Sequence, residues 1–93
     1  MIRSFKCKET EGIWDGRRSR KFTGEIQDRA LRKLRQLDAA RTMDDLRNPP
    51  GNRLEVLKGD RAGQMSLRIN EQWRICFRWA DHDAFDVEII DYH

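Results

Sequence analysis

The period of apolar and polar positions changes along this chain, and the changes divide it into elements. From Ser66 to Trp79 the odd positions Leu67, Ile69, Trp73, Ile75, Phe77 and Trp79 are apolar, while Ser66, Arg68, Arg74, Cys76 and Arg78 occupy even positions. A period of two is that of strands with one face in a core. The apolar sets share a face only if Ile69 pairs with Trp73 and Arg68 with Arg74, which leaves Asn70, Glu71 and Gln72 as a three-residue hairpin loop. The even face is then wet and carries arginines, with Arg68 directly across from Arg74. Like charges opposed in a sheet repel, so this register predicts an anion or a nearby carboxylate between the two guanidinium groups.

Shorter segments repeat the pattern. Ile2 to Cys7 alternates and is predicted as a first strand; Arg53 to Lys58 is another, with Leu54, Val56 and Lys58 in phase. A turn at Asp81, His82 and Asp83 leads into a last strand, Phe85 to Ile89. Pairing Phe77 with Val87 and Ile75 with Ile89 sets Arg78 opposite Asp86, an attractive pair that gives Arg78 a structural role. Between Thr23 and Ala40 the period becomes helical: Ile26, Ala30, Leu34 and Leu37 form one face, widened by Leu31, and Arg29, Arg32, Lys33, Arg35 and Gln36 form the other. Thr10 to Gly16 has the signals of a brief helical turn, with Thr10 as cap and Gly16 as stop. Thr42 followed by Met43, Asp44 and Asp45 reads as the capped start of a second, shorter helix that ends at Asn48-Pro49-Pro50-Gly51-Asn52. Gly59 to Gly63 is a turn-rich connection. The predicted fold class is α+β: an N-terminal strand, two helices, then an antiparallel strand meander, with the helices packed on one sheet face.

Length and charge narrow this picture. Ninety-three residues suffice for one domain, 1–93, with one core. Hydrophobic and charged residues at 38% each keep the chain out of the disordered class. Nineteen Lys and Arg against sixteen Asp and Glu leave only +3, so where the charges sit matters more than their sum. Arg17, Arg18, Arg20 and Lys21 are one concentration, read either as an RNA patch or as a solvated loop. Cys7 and Cys76 are too few and too distant for a metal knuckle and read as small buried hydrophobes, so no metal is expected. Arg3, Lys6 and Lys8 interrupt the only apolar N-terminal segment, and no apolar run approaches a membrane span. The expectation is a soluble cytoplasmic protein.

Four motifs occur in order: Leu57-Lys58-Gly59-Asp60-Arg61, then Arg68, then Gln72-Trp73-Arg74-Ile75, then Asp91-Tyr92-His93. Together, in so short a chain, they resemble the HigB group of the RelE-like toxins, also called plasmid maintenance killer proteins. The resemblance covers almost the whole chain. It implies the RelE-like microbial ribonuclease fold and the toxin role of a type II toxin-antitoxin system. The implied activity is a metal-independent endoribonuclease, without cofactor, that cuts mRNA in the ribosomal A site and inhibits translation. Implied partners are the ribosome with its mRNA and a HigA-like helix-turn-helix antitoxin, through which DNA is contacted only indirectly. A non-cleaving RNA- or ribosome-binding module and a protein-interaction domain are the competing readings.

The resemblance implies a catalytic set of Lys58, Arg68, Arg74, Asp91, Tyr92 and His93, and adds Arg61 to the RNA-binding candidates. Metal-free cleavage by the adjacent 2′-hydroxyl needs a base, cations for the phosphorane charge and an acid for the leaving oxygen. Arg68 and Arg74 suit a forked grip on phosphate, with Lys58 as a point charge. His93 titrates in the right range to be acid or base; Tyr92 suits stacking on a base or positioning the phosphate, and Asp91 suits orienting a neighbour. The resemblance implies a histidine three residues before the lysine, and this chain departs from that pattern with Glu55, which is either the general base or an inert surface residue. Strand parity puts Tyr92 on the face of Arg74 but Asp91 and His93 on the apolar face, so a common site requires the terminus to bend. Truncating Arg74 is expected to relieve repulsion and to cost activity far more than stability.

Overall fold

The computed structural model describes residues 1–48 and 50–91, the side chain of Pro50 excepted; Pro49, Tyr92 and His93 lie outside the described residues. The helical stripe forms α2 (Gly24–Ala39), capped by Thr23, whose hydroxyl accepts the Ile26 N–H at 3.3 Å. Its inward residues Ala30, Leu34 and Leu37 are fully buried. The second helical signal forms α3 (Met43–Arg47) with a complete capping box: the Thr42 hydroxyl faces the Asp45 N–H, and the Asp45 carboxylate accepts the N–H of Thr42. Hydrogen bonds from the Arg41 and Thr42 amides hold that carboxyl below the ordinary aspartate range.

The strands are β1 (Glu55–Val56), β2 (Met65–Arg68), β3 (Trp73–Ala80) and β4 (Asp83–Asp91), in the order β1-β2-β3-β4. All neighbours are antiparallel, as a meander requires. Arg68 opposes Arg74, and the Ile69 amide bonds the Trp73 carbonyl at 2.9 Å. Asn70 shapes the loop, its side-chain oxygen accepting the amides of Gln72 at 2.8 Å and Trp73 at 2.7 Å. The apolar face, with Leu67, Ile69, Ile75, Phe77, Val87 and Ile89, closes on Ala30, Leu34 and Leu37 of α2, Ile13 and Leu46 in a single core. The α+β class with helices on one sheet face is therefore realised.

Five details differ from the sequence reading. The first strand is reduced to parallel bridges of Ile2 with Ala84 and Phe5 with Val87. Between them Asp86, at φ +54°, turns its amide to the Ser4 hydroxyl at 2.8 Å and interrupts the ladder. A full helix, α1 (Lys8–Trp14), replaces the brief turn, and Thr10 lies inside it, buried, accepting the Ile89 N–H at 3.0 Å. Gly16, at φ +87°, does stop it. β1 keeps only two residues; Val56 is 64% exposed and Leu57 points inward at 6%, because the chain leaves the sheet there and turns through a 3-10 segment at Gly59–Arg61. The β3–β4 connection is a two-residue turn at Asp81 and His82, with φ of +52° and +66°, so β4 already begins at Asp83. Ile75 faces Ile89 as expected, but a bulge between Cys76 and Arg78 then sets Arg78 opposite Phe85. The Arg78 to Asp86 ion pair still forms, at 2.8 Å. Among the described residues no helix is long and apolar enough to cross a membrane.

Candidate active site on the polar sheet face

Paired residues of antiparallel strands share a face. Glu55, Ser66, Cys76 and Glu88 therefore form one row across the sheet, on the side away from α2, and Arg68, Arg74 and Ile90 form the next. This face is not the wet surface that alternation suggested. Ser66 and Cys76 are fully buried and Arg74 is 6% exposed. The reason is that the Arg74 guanidinium lies back along the sheet: Nε–H donates to Ser66 Oγ at 2.7 Å, and Nη2 donates to the carbonyls of Arg53 at 2.5 Å and Ser66 at 3.3 Å. Burying a charge is tolerable only with such partners.

The carboxylate predicted beside the two arginines is Glu55, whose Oε2 is 4.0 Å from Arg74 Nη2 and whose side chain is about half exposed. Arg68 is held separately, with Nε–H on the Asn70 carbonyl at 3.2 Å. The opposed guanidinium groups are thus distributed among different acceptors. That overturns the expectation that truncating Arg74 is cheap for the fold, since three acceptors now depend on it.

Lys58 is exposed, three residues after Glu55, and its carbonyl accepts the Arg61 amide as the 3-10 turn begins. Arg61 is tied to the sheet floor: Nη1 bonds Glu88 Oε1 at 2.8 Å and Gln64 Oε1 at 3.1 Å, and the Glu88 bond strengthens its hold on its proton. Asp91 ends β4 opposite Trp73, exposed, and accepts a bond from Gln72 Nε2 at 3.1 Å. It shares the Trp73 side, as parity predicts. Tyr92, His93 and the bend expected of them lie outside the described residues. The Arg17 to Lys21 cluster belongs to the α1–α2 connection, where Arg17 pairs with Asp15 and Arg18 with Asp28, each at 3.3 Å, and Arg20 and Lys21 are exposed. The structure therefore joins Arg68, Arg74 and Glu55, with Lys58 following on the same edge segment.

Sequence reasoning missed the supports. Ser66 carries a signal, because the Arg68 to Arg74 register makes it diagonal to Arg74. The Arg53 carbonyl and the Arg61 to Glu88 pair carry none, since both depend on contacts distant in sequence. Burial pushes the Cys76 thiol up to about 11, so it is protonated near neutrality and unsuited to nucleophilic work. Cys76 is the small buried group expected; Cys7 is only half buried, and both are free. Among the described residues no group of three or more His, Cys, Asp or Glu is placed to hold a metal ion.

Comparison with known proteins places the chain in a family. Residues 3–93 match the family described as RelE-like toxin of type II toxin-antitoxin system HigB. Over 94 aligned positions the chain is 44% identical to Toxin HigB-1 of Vibrio cholerae, covering all of this chain and 98% of that protein. It is 32% identical to Endoribonuclease HigB of Proteus vulgaris over the full length of both. In fold it is similar to a chain of the heterotetrameric YoeB-YefM toxin-antitoxin complex from Staphylococcus aureus, with a TM-score of 0.63 at 17% identity over all of this chain and 98% of that one. The family match over residues 3–93, with relatives 44% and 32% identical over the whole chain, makes this chain a member of the HigB-like toxins of the RelE family.

Proposed function

We propose that this chain is the toxin of a type II toxin-antitoxin pair and acts as a ribosome-dependent endoribonuclease that cuts mRNA in the A site and so inhibits translation. The observation that carries the reading is the anchored guanidinium of Arg74, a residue opposite Arg68 in the sheet register, with the half-exposed Glu55 carboxylate 4.0 Å from it. A guanidinium fixed before substrate arrives has no reorganisation to undergo as charge develops on phosphorus, and such stabilisation is worth ~3 kcal/mol per donor. The relative named Endoribonuclease HigB supports the same activity.

In this mechanism Arg68 and Arg74 hold the scissile phosphate and Lys58 adds a point charge. Glu55 takes the proton of the attacking 2′-hydroxyl, and His93 gives one to the leaving 5′-oxygen. Tyr92 stacks on or positions the nucleotide, and Asp91 orients its neighbour. The chemistry is metal-independent, cofactor-free and confined to one domain, 1–93. Arg17, Arg18, Arg20, Lys21 and Arg61 belong to the wider RNA-facing surface. The partners are the ribosome and its mRNA in the cytoplasm, and a HigA-like helix-turn-helix antitoxin that alone touches DNA. The toxin-antitoxin complex in which the YoeB neighbour was solved supports an antitoxin partner.

Primer extension across a reporter mRNA in a translating extract tests the mechanism. Wild type should leave ribosome-dependent stops, and Glu55→Gln and His93→Gln should each lower cleavage by about 10² to 10⁴ with ribosome binding retained. Unchanged cleavage by either variant removes that residue from the proton relay. Ribosome binding by the wild type with no cleavage at all would instead assign a binding module.

A further inference from the structure

A second cationic feature lies beside the arginine pair. Arg29 and Lys33, four residues apart on the outer face of α2, line a cleft of about 390 Å³ with Gly51, Arg68 and the hairpin loop residues Asn70 and Glu71. Three of these side chains are cationic and one, Glu71 at the loop, is acidic. Among the described residues neither Arg29, Lys33 nor Arg68 ion-pairs with a carboxylate. Three cations are therefore gathered around one acid with no such ion pair formed, at a cost in mutual repulsion.

Lys33 is also positioned. Its ammonium donates to Asn52 Oδ1, and Asn52 is fully buried, with Nδ2 bonded to Gln36 Oε1 at 3.0 Å and the Leu46 carbonyl at 3.1 Å. A buried amide satisfied on both sides is a rigid anchor, and an ammonium has three donors, so the anchored group keeps donors for the cleft. Gly51 borders the same ammonium, an added Cβ there standing 4.0 Å from Lys33 Nζ. Burial, then Arg29 and Arg32, pulls the Lys33 pKa below its ordinary value, a tension that a bound anion would relieve.

We propose that Arg29, Lys33 and Arg68 form a binding site for a second backbone phosphate of RNA, one that shares Arg68 with the arginine pair and so sets the direction in which the strand crosses the sheet edge. The choice of RNA rests on the endoribonuclease reading; the site itself rests on the cleft. The phosphate belongs either to the message or to ribosomal RNA, and two binding arms distinguish them.

The first arm measures fluorescence anisotropy of a short 2′-O-methyl oligoribonucleotide, which resists 2′-hydroxyl attack, against salt concentration. The second measures association with mRNA-free ribosomes over the same salt range. The variants are Arg29→Gln, which is exposed and makes no ion pair among the described residues, and Arg29→Gln with Lys33→Gln. Arg35→Gln, on the same helix but outside the cleft, is the charge-matched control. Each lost contact should lower the steepness of log K against log salt by ~0.7, with the double variant binding about ten-fold more weakly at low salt. A loss with the oligonucleotide assigns the phosphate to the message; a loss confined to ribosomes assigns it to ribosomal RNA. No change in either arm for Arg29→Gln, or an equal change for Arg35→Gln, overturns the site. Cleavage is not read in these assays, so a chain that binds RNA here without cutting it sustains the cleft and refutes only the nuclease.

Discussion

Truncating Arg74 would leave the Ser66 hydroxyl and two backbone carbonyls facing a hole, because all three accept from its guanidinium. Arg74→Ala is therefore expected to lose ~1 to 3 kcal/mol of stability in urea denaturation as well as activity. Arg74→Lys keeps the charge but cannot reproduce the fork, and should fold better than the alanine variant while remaining strongly impaired in cleavage. An alanine variant as stable as wild type would mean that those acceptors find water instead. The opposed arginines were legible from period and loop length, but not the burial of one of them, since the acceptor that turns Arg74 inward is the Arg53 carbonyl, 21 residues away. The cysteines give an independent check on that buried floor. With the Cys76 thiol pushed up to about 11 and fully buried, iodoacetamide at mildly alkaline pH should modify Cys7 well before Cys76 in the native protein, by peptide mass spectrometry. Equal labelling would show that the floor opens readily.

At the level of elements, long periodic segments were readable and short paired ones were not. α2 and the β2–β3 hairpin each repeat their pattern enough times for one face to be defined, whereas Ile2 to Phe5 and Glu55–Val56 contact the sheet through only a bridge or two each. Backbone hydrogen bonds to β4 hold the N-terminal segment, and an electrostatic clamp remote in sequence joins them: Asp83, at the start of β4, accepts Arg3 Nε at 3.0 Å and lies 3.2 Å from the Met1 amino group. The Arg3 hydrogen bond, followed by that of the amino group, holds the Asp83 carboxyl below the ordinary 3.8. A carboxyl with a depressed folded pKa stabilises the fold above its unfolded value, and this contribution fades as pH falls through the folded value. Asp83→Asn should therefore melt below wild type at pH 7, and the gap should close progressively at pH values under 3.8. A gap of the same size at neutral and strongly acid pH would mean that the clamp works through packing and not through charge.

For the molecule as a whole, the candidate site and the core are the two faces of one sheet. β3 presents Arg74 and Cys76 on one side, and Ile75 and Phe77 on the other, all buried, so the polar floor and its hydrogen bonds rest directly on the packing beneath it. Leu34 of α2 is fully buried in that packing. Leu34→Ala should cost ~2 to 5 kcal/mol, a large share of the ~5 to 15 kcal/mol available to a domain of this size. With one core shared by helices and sheet, the loss should be global. Far-UV circular dichroism follows mainly the helices, while tryptophan fluorescence follows Trp73 and Trp79 of β3 and Trp14 of α1, Trp73 lying edge-on to Phe22 with ring centres 4.9 Å apart. In urea both signals of Leu34→Ala should shift to the same lower midpoint, and RNA cleavage should fall with the folded fraction, the folded molecules retaining their specific activity. Separate midpoints would mean that α2 detaches while the sheet persists. Cleavage that then followed the fluorescence and not the dichroism would place the arginine floor on a sheet able to stand without its helices.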